Sequence, residues 1–352
     1  MFRDVTGKGG EVAARAAQAA GVDHLTSWVK PARGQLDPAR EITFYLGFHQ
    51  PRALEYSPVP LFIALPRLRR YACTPDQMPK ALGPWALDSG GFTQIQRHGQ
   101  WLEHPDSYGS AVVRILDECG WPPDFAAPQD WMCEPWVVLG GRHDSQDFHG
   151  SVFAHLGLRR AVRVHQELTV ENYCYLREQF PMVAWIPVLQ GWTLSDYLRC
   201  VDLYAAAGVD LTAEHRVGLG SVCRRESTGE AGLIASTLAG LGLRLHGFGF
   251  KTDGLREHAA HLASADSQAW SRVARLQRLR LPQCTHRARY CNNCLVWASV
   301  WRERIMAALR EPRQQGLVLD ATTSGTARPR PHRASTSSPV PAPGLEQLVM
   351  AL

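Results

Sequence analysis

The chain has 352 residues, of which 45% are hydrophobic and 20% charged, a composition typical of a globular protein with one large core or two modest ones. Its formal net charge of +5 is compatible with a polyanionic partner but too small to demand one. No apolar run approaches the roughly 18 to 20 residues that cross a bilayer, which excludes a membrane-spanning protein.

Repeated strand–helix units are predicted along most of the chain. Residues 1–40 contain an alanine-rich helical stretch and a Pro/Gly/Arg connector, so we expect an N-terminal appendage. From Glu41 onward, short apolar runs ending in Gly, Asp, Gln or His alternate with helix-length segments. The predicted strands are 42–48, 60–64, 85–87, 125–127, 183–189, a region around Leu211, 244–248 and 262–265, and the predicted helices include 158–179 and 195–207.

These units predict an α/β fold, specifically a (β/α)8 TIM barrel over residues 41–310, with an open doubly wound sheet as the alternative. After Arg310 the composition shifts to Pro, Ser, Thr, Ala and Arg. Such a segment buries too little apolar surface to order itself, so we expect a disordered tail at 311–352.

Polar residues and glycines recur where predicted strands end. Each such segment suits a pocket for a planar, hydrogen-bonding ligand, although a single acid at a strand end more often caps a helix or a turn. The candidate residues are Asp88, Ser89, Gly90, Gly91 and Phe92; Asp130; Gln190 and Gly191; Gly218 and Gly220; Gly247, Gly249 and Lys251; and Asp266.

A compact set of metal ligands follows the last predicted strand. Cys284, His286, Cys291 and Cys294 fall within eleven residues, and a Cys3His set suits tetrahedral zinc with no open position. We therefore expect a structural zinc that holds the segment 282–296. The sequence has nine cysteines but no apolar N-terminal signal region, which favours a reducing cytoplasm over a disulfide-forming compartment.

The strand-end motifs resemble those of the tRNA-guanine transglycosylases, and more closely those of their DNA-acting relatives that insert 7-deazaguanine bases into DNA. The motifs that carry the resemblance are Asp-Ser-Gly-Gly-Phe at Asp88, Gln-Gly at Gln190, Gly-Leu-Gly at Gly218, Gly-x-Gly at Gly247, and Asp266 ahead of the Cys/His cluster. The resemblance implies a (β/α)8 barrel that bears zinc and exchanges bases. It departs from the tRNA enzymes in one respect, because His286 lies inside the cysteine cluster.

The resemblance also implies roles for single residues. Asp266 would be the nucleophile that traps the sugar, and Asp88 the general acid/base. Asp130 would bond the Watson–Crick edge of the purine, with Gln190 and the backbone at 218–220 completing the pocket. Base exchange needs two such acids, as in retaining glycosidases. Trp131 and Trp192 are candidates to stack on a base, and Lys251 and Arg224–Arg225 to contact phosphates.

Several functions stay open from the sequence. We expect exchange of guanine for 7-cyano-7-deazaguanine in DNA, because no second RNA-binding domain is evident after the zinc cluster. The alternatives are a queuine-type tRNA transglycosylase and a non-catalytic, zinc-stabilised nucleic-acid-binding subunit; a metal-dependent hydrolase ranks last. DNA-modification partner proteins and a homodimer are compatible with this hypothesis, and a membrane partner is not expected.

Overall fold

The computed structural model describes residues 42–71, 75–223, 225, 227–250 and 252–310. The predicted appendage at 1–40 and the predicted tail at 311–352 lie outside the described residues. Within the described ranges, no helix combines the length and the apolar character needed to cross a bilayer.

A curled, all-parallel sheet of seven strands occupies the centre of the fold. In chain order the strands are β1 (Thr43–Gly47), β2 (Leu61–Ala64), β3 (Trp85–Asp88), β4 (Gly141–His143), β5 (Gln146–Phe148), β6 (Val188–Leu189), β7 (Val217–Leu219), β8 (Leu245–Gly247) and β9 (Ser264–Ser267). The seven-stranded sheet has the order β3-β2-β1-β9-β8-β7-β6, while β4 and β5 form a separate antiparallel hairpin.

Helices connect most strands of the sheet, which lets each strand run parallel to the last. The described α-helices are α1 (Leu65–Leu68), α2 (Gly91–His98), α3 (Pro105–Cys119), α4 (Pro135–Leu139), α5 (Leu158–Gln179), α6 (Leu194–Ala206), α7 (Gly229–Gly240), α8 (Thr252–His258), α9 (Ala269–Leu276) and α10 (Leu295–Arg310). The predicted helix 158–179 is confirmed, and the predicted helix 195–207 is shifted by one residue. A capping box between Thr193 and Asp196 fixes the start of α6.

Two backbone bridges lie between the edge strands of the sheet. Leu87 of β3 pairs with Ala126, and Ala126 pairs with Trp185, both in the parallel sense. The predicted strand 125–127 is thus a single bridging residue. Pro123 and Pro128 flank it and have no N–H to donate, which limits how far a ladder can extend there.

Two apolar layers lie on opposite faces of the sheet. Tyr45, Phe62, Ala86, Phe125 and Ile186 form an inner cluster, against which Phe248 packs. Their strand neighbours, such as Phe44 and Leu46 on either side of Tyr45, belong to the larger cluster beneath the helices. This alternation follows from the two-residue period of a strand.

Two predicted strands were misplaced. The strand expected around Leu211 is wrong: Asp210 Oδ1 accepts hydrogen bonds from Thr212 N at 3.0 Å and Thr212 Oγ1 at 2.6 Å, and such a local turn competes with extended backbone. The strand forms instead at Val217–Leu219. The last strand, expected at 262–265, spans Ser264–Ser267, and its polar residues concealed it from a search for apolar runs.

Candidate active site and metal centre

Asp88 ends strand β3 where the chain turns into helix α2. Gly90 makes this turn with φ of +76°, a left-handed conformation that strains other L residues. A Cβ at Gly91 would come within 2.6 Å of the Trp101 ring, so the helix start packs directly on that indole. The two predicted glycines thus permit a sharp turn, and the preceding Asp88 is half-buried at the carboxyl edge of the sheet.

Asp266 lies within β9, opposite Tyr45 of β1. Its Oδ1 accepts a hydrogen bond from Gly249 N at 2.9 Å. The following helix starts at Ala269, and its N-cap residue is Gln268, without a side-chain capping bond. Asp266 is therefore not a helix cap, which removes the ordinary structural explanation for an acid at this position.

The negative charge of Asp266 acts on the carboxyl group of Asp88. Burial, followed by the negative charge of Asp266, raises the pKa of Asp88 to about 6. Backbone hydrogen bonds from Gly90 and Ser89 oppose this rise. An acid with a pKa near neutrality can both donate and accept a proton under physiological conditions, which is the property of a general acid/base.

Asp130 is the third acid at this edge of the sheet and is almost completely buried. Burial raises its pKa to about 7; the hydrogen bond from Gln190 opposes the rise, and the charges of Asp88 and Glu134 add to it. Gln190 Nε2 donates to Asp130 Oδ2 at 2.6 Å, and Trp101 Nε1 donates to the Asp130 backbone oxygen at 3.0 Å. The structure thus brings together three of the predicted polar residues, namely Asp88, Asp130 and Gln190.

A buried hydrogen-bond network fixes the amide of Gln190. Ser221 Oγ lies 2.6 Å from Gln190 Oε1 and 2.8 Å from Glu134 Oε2, and it accepts the N–H of Cys133 at 2.7 Å. Ser221 has φ of +52°, a conformation that a non-glycine residue keeps only when its surroundings demand it. A Cβ on Gly220 would lie 2.4 Å from Gln190 Nε2, so only glycine leaves room for this amide.

The other predicted glycines lie where another group approaches closely. A Cβ would come within 2.5 Å of Phe248 at Gly218, 2.5 Å of Phe250 at Gly247, 2.4 Å of Cys223 Sγ at Gly249 and 2.9 Å of Asp196 Cβ at Gly191. Ser89 Oγ accepts the N–H of Gly91 at 3.2 Å, and Phe92 packs edge-to-face on Phe148 at 5.9 Å. Lys251 and Arg224 lie outside the described residues.

The two candidate stacking tryptophans differ in their surroundings. Trp131 is buried, with its ring 5.1 Å from that of His165. Trp192 is partly exposed, and the guanidinium of Arg225 lies 4.0 Å from its ring centroid, a cation–π distance. Trp136 meets Trp192 edge-to-face at 5.2 Å. Of the two tryptophans, only Trp192 presents an accessible aromatic surface.

The predicted metal ligands converge in the segment between α9 and α10. The ligand atoms of Cys284, His286, Cys291 and Cys294 all lie within 4.8 Å of one another. The Sγ of Cys284 is 3.4 Å from that of Cys294 and 3.7 Å from that of Cys291. Tetrahedral zinc with Zn–S bonds of about 2.3 Å separates its sulfur ligands by about 3.8 Å, so this group can hold a metal ion and is consistent with zinc.

The histidine of the cluster is oriented as a ligand. Its Nε2 lies 3.3 Å from Cys291 Sγ, while its Nδ1 lies 3.2 Å from the backbone oxygen of Ala288. Donation from Nδ1–H to that carbonyl would leave Nε2 as the free lone pair, the usual arrangement around metal-bound histidines. The four side chains that the sequence singled out are therefore brought together in a suitable geometry.

Comparison with known proteins assigns the chain to a family. The model of the family DpdA, described as DeoxyPurine in DNA protein A, matches residues 40–328. The chain belongs to the DpdA family. Membership supports, in general terms, a transglycosylase-like role in 7-deazaguanine modification with DNA as the substrate. The matched range contains Asp88, Asp130 and Asp266 as well as the Cys3His cluster.

Other comparisons add little to the family assignment. No curated protein matches this DpdA-family chain. Among solved structures, the aldolase QR15 is 10% identical with a TM-score of 0.36, over 64% of this chain and 88% of that one. A structure of Rhizobium etli pyruvate carboxylase with the allosteric activator acetyl coenzyme A is 10% identical with a TM-score of 0.28, over 79% of this chain and 26% of that one.

Several residues of the site carried no recognisable sequence signal. Tyr197 on α6 donates to the Gly220 backbone oxygen at 2.6 Å. Ser221 contacts Gln190 directly, and Glu134 contacts Ser221 from a different loop. Their partners are 23 to 87 positions away in sequence. Only the proximity of Glu134 to Asp130 in the chain, and of Ser221 to Gly220, marked these segments as part of the site.

Proposed function

We propose that this DpdA-family chain is a pentosyltransferase that replaces guanine in DNA with 7-cyano-7-deazaguanine through a covalent aspartyl–sugar intermediate. The observation that carries the proposal is the electrostatic coupling of Asp88 to Asp266, with a pKa near 6 for Asp88. Paired carboxyls with separated roles are what double displacement at a sugar carbon requires.

The first half of the reaction forms the covalent intermediate. A carboxylate oxygen of Asp266 attacks C1′ of the target nucleotide, and the C1′–N9 bond breaks with its electron pair leaving on guanine. Protonated Asp88 gives its proton to the departing base, so guanine leaves neutral. The pKa of about 6 leaves an appreciable protonated fraction of Asp88 at neutral pH.

The second half reverses these steps with the new base. Ionised Asp88 takes the N9 proton of 7-cyano-7-deazaguanine, whose N9 then attacks C1′ and displaces the Asp266 carboxylate. Both acids return to their starting states, and no external oxidant or energy source is needed. This symmetry explains why a single acid with an intermediate pKa serves both halves.

Base recognition falls to Asp130 and Gln190 in this proposal. Asp130 would accept hydrogen bonds from the N1–H and exocyclic amino group of the purine, donors that lie on its Watson–Crick edge. Gln190 holds one oxygen of Asp130 and leaves the other for the base. Ser89–Phe92, Gly191, Gly218, Gly247, Gly249 and Lys251 complete the proposed substrate-binding set.

Two structural features would hold the site in place, namely a closed barrel and a zinc-bound segment. We propose that the sheet closes as a (β/α)8 barrel, because Ala126 bridges both to Leu87 of edge strand β3 and to Trp185 in the segment that leads into edge strand β6. The Cys3His set has four protein ligands, which leaves no coordination position for water; zinc there would stabilise the 282–296 segment and take no part in the chemistry.

A direct exchange assay tests the proposal. Purified protein is incubated with 7-cyano-7-deazaguanine and with single-stranded DNA, duplex DNA or tRNA that carries radiolabelled guanine. We expect label release from DNA, faster from single strands because a paired base must first be extruded, and none with Asp266→Asn. Release from tRNA alone would establish the queuine-type alternative, and release from neither by folded, zinc-loaded protein would indicate the non-catalytic subunit.

A further inference from the structure

Inside the sheet, a buried chain of polar residues leads to Asp266, and the proposed reaction gives its other members no role. His246 on β8 and Ser264 on β9 pair in register, and both are fully buried. His246 Nδ1 lies 2.9 Å from Ser264 Oγ, and Arg216 Nε donates to the same oxygen at 3.1 Å. At the other end of the chain, His246 Nε2 lies 3.4 Å from Oδ1 of Asp266.

Aromatic rings surround His246 on several sides. Its ring centroid is 4.7 Å from that of Phe248, 4.8 Å from Phe125, 5.6 Å from Phe62 and 6.0 Å from Tyr45. Burial lowers its pKa, although the hydrogen bond and the charge of Asp266 oppose this shift. An imidazole in such surroundings is neutral at pH 7 and carries a single N–H.

The hydrogen-bond geometry determines which nitrogen carries that proton. Ser264 Oγ already accepts from Arg216, so its own hydroxyl proton is available to His246 Nδ1. If Nδ1 were protonated instead, a bare Nε2 lone pair would face the Asp266 carboxylate at 3.4 Å. Two acceptors facing each other in a buried site repel, so the tautomer with Nε2–H is favoured.

We propose that His246 is a positioning residue for Asp266, held in its Nε2–H tautomer by Ser264 and Arg216. This inference rests on the proposed function, because the orientation of Asp266 matters to activity only if it is the nucleophile. His246 Nε2 faces Oδ1 at 3.4 Å, and Gly249 N donates to the same oxygen at 2.9 Å. Oδ2 is then the oxygen that bonds to C1′.

Such positioning fixes the carboxylate plane of the nucleophile, and misplacing a reacting group by about 1 Å can cost on the order of 10²-fold in rate. The 3.4 Å contact is long for a hydrogen bond, and we expect it to shorten when substrate binds.

Single-turnover kinetics test the role of the Nε2–H donor. In His246→Gln the side-chain amide can still donate from about the position of Nε2, whereas His246→Leu has no donor. We expect His246→Leu to form the covalent DNA adduct about 10- to 100-fold more slowly, with unchanged KM for DNA, and His246→Gln to recover most of that loss. His155→Gln, at an exposed histidine, is the matched control.

Comparison of the two variants separates positioning from simple space filling. A residue that only fills space would lose the same factor in adduct formation in both variants, whereas a donor that positions Asp266 is lost in His246→Leu alone. The other charged or titratable groups facing this pair are Asp88, Tyr45 and Arg216, and neither variant changes them. Equal losses in both variants, accompanied by equal falls in Tm, would overturn the proposal.

Nuclear magnetic resonance gives a readout that does not depend on activity. With 15N-labelled histidine, and with His246→Gln to assign the signals, we expect His246 to be neutral with its proton on Nε2, and Ser264→Ala to weaken this preference. A proton on Nδ1, or a charged ring at pH 7, would contradict the proposal. If the wild-type protein exchanges no base, the proposed function is contradicted. The position of the His246 proton would still show whether Ser264 holds the ring in the proposed tautomer.

Discussion

The amide of Gln190 donates a 2.6 Å hydrogen bond to the buried carboxyl of Asp130, across 60 positions of the chain. The bond joins the loops that follow two different parallel segments of the sheet. Ser221 holds the oxygen end of the same amide, so the side chain has a defined orientation. An acid and an amide locked in this way form a rigid hydrogen-bonding edge, which suits the recognition of a planar base.

Asp130→Asn is expected to stabilise the protein at alkaline pH. The folded pKa of Asp130 is about 7, well above the value of about 3.9 in an unfolded chain. Its stabilising contribution is therefore complete below about pH 4 and is lost as the pH rises through 7. At pH 8 we expect Asp130→Asn to raise Tm by roughly 2–6 °C, with little change at pH 4.

Thermal unfolding followed by circular dichroism between pH 4 and pH 8 checks this expectation. Asp202→Asn, at an exposed position on α6, is the control and should leave Tm nearly unchanged. A fall in Tm for Asp130→Asn at pH 8 would show that the native state depends on the ionised carboxylate.

Gly220→Ala is expected to weaken binding of the incoming base. The added Cβ would lie 2.4 Å from Gln190 Nε2 and must displace that amide from Asp130. We predict a rise of about tenfold or more in KM for 7-cyano-7-deazaguanine, in line with the loss of one charge-assisted hydrogen bond. Gly240→Ala, at a helical position with open space around its Cβ, is the matched control and should bind the base normally.

Cys291→Ser is expected to remove the metal and loosen the end of the fold. Cys291 is fully buried, and Trp297 on the adjoining helix α10 donates to the Trp270 backbone oxygen at 3.0 Å. We expect about one zinc per wild-type chain, and a Tm lower by roughly 5 °C or more in Cys291→Ser or after chelation. Elemental analysis and calorimetry measure both quantities, with Cys174→Ser outside the cluster as the control.

Local sequence signals predicted much of the fold. Helix 158–179 was confirmed to the residue because its long amphipathic pattern is a local property. The strand ending at Asp88 was visible because apolar residues precede a polar residue and two glycines. The metal cluster was visible because its four ligands are close together in the chain.

The missed features are marked by polar residues or by contacts across the chain, which a search for apolar runs does not register. Strand β9 contains Ser264, Asp266 and Ser267, which are polar and buried, so no apolar run marked it. Asp210 bonds to Thr212 and turns the chain where a strand was expected. Ser221 lies 31 positions from its partner Gln190 and 87 positions from its partner Glu134, separations that no local pattern encodes.

The most direct test of the central claim is mass spectrometry of nucleosides from plasmid DNA in cells that express this chain and supply 7-cyano-7-deazaguanine. Cells expressing Asp266→Ala at the same level are the control. We predict a 7-cyano-7-deazaguanine deoxynucleoside with the wild-type chain and none with Asp266→Ala. The same amount with both chains would contradict the assignment of Asp266, and a modified nucleoside found only in tRNA would contradict DNA as the substrate.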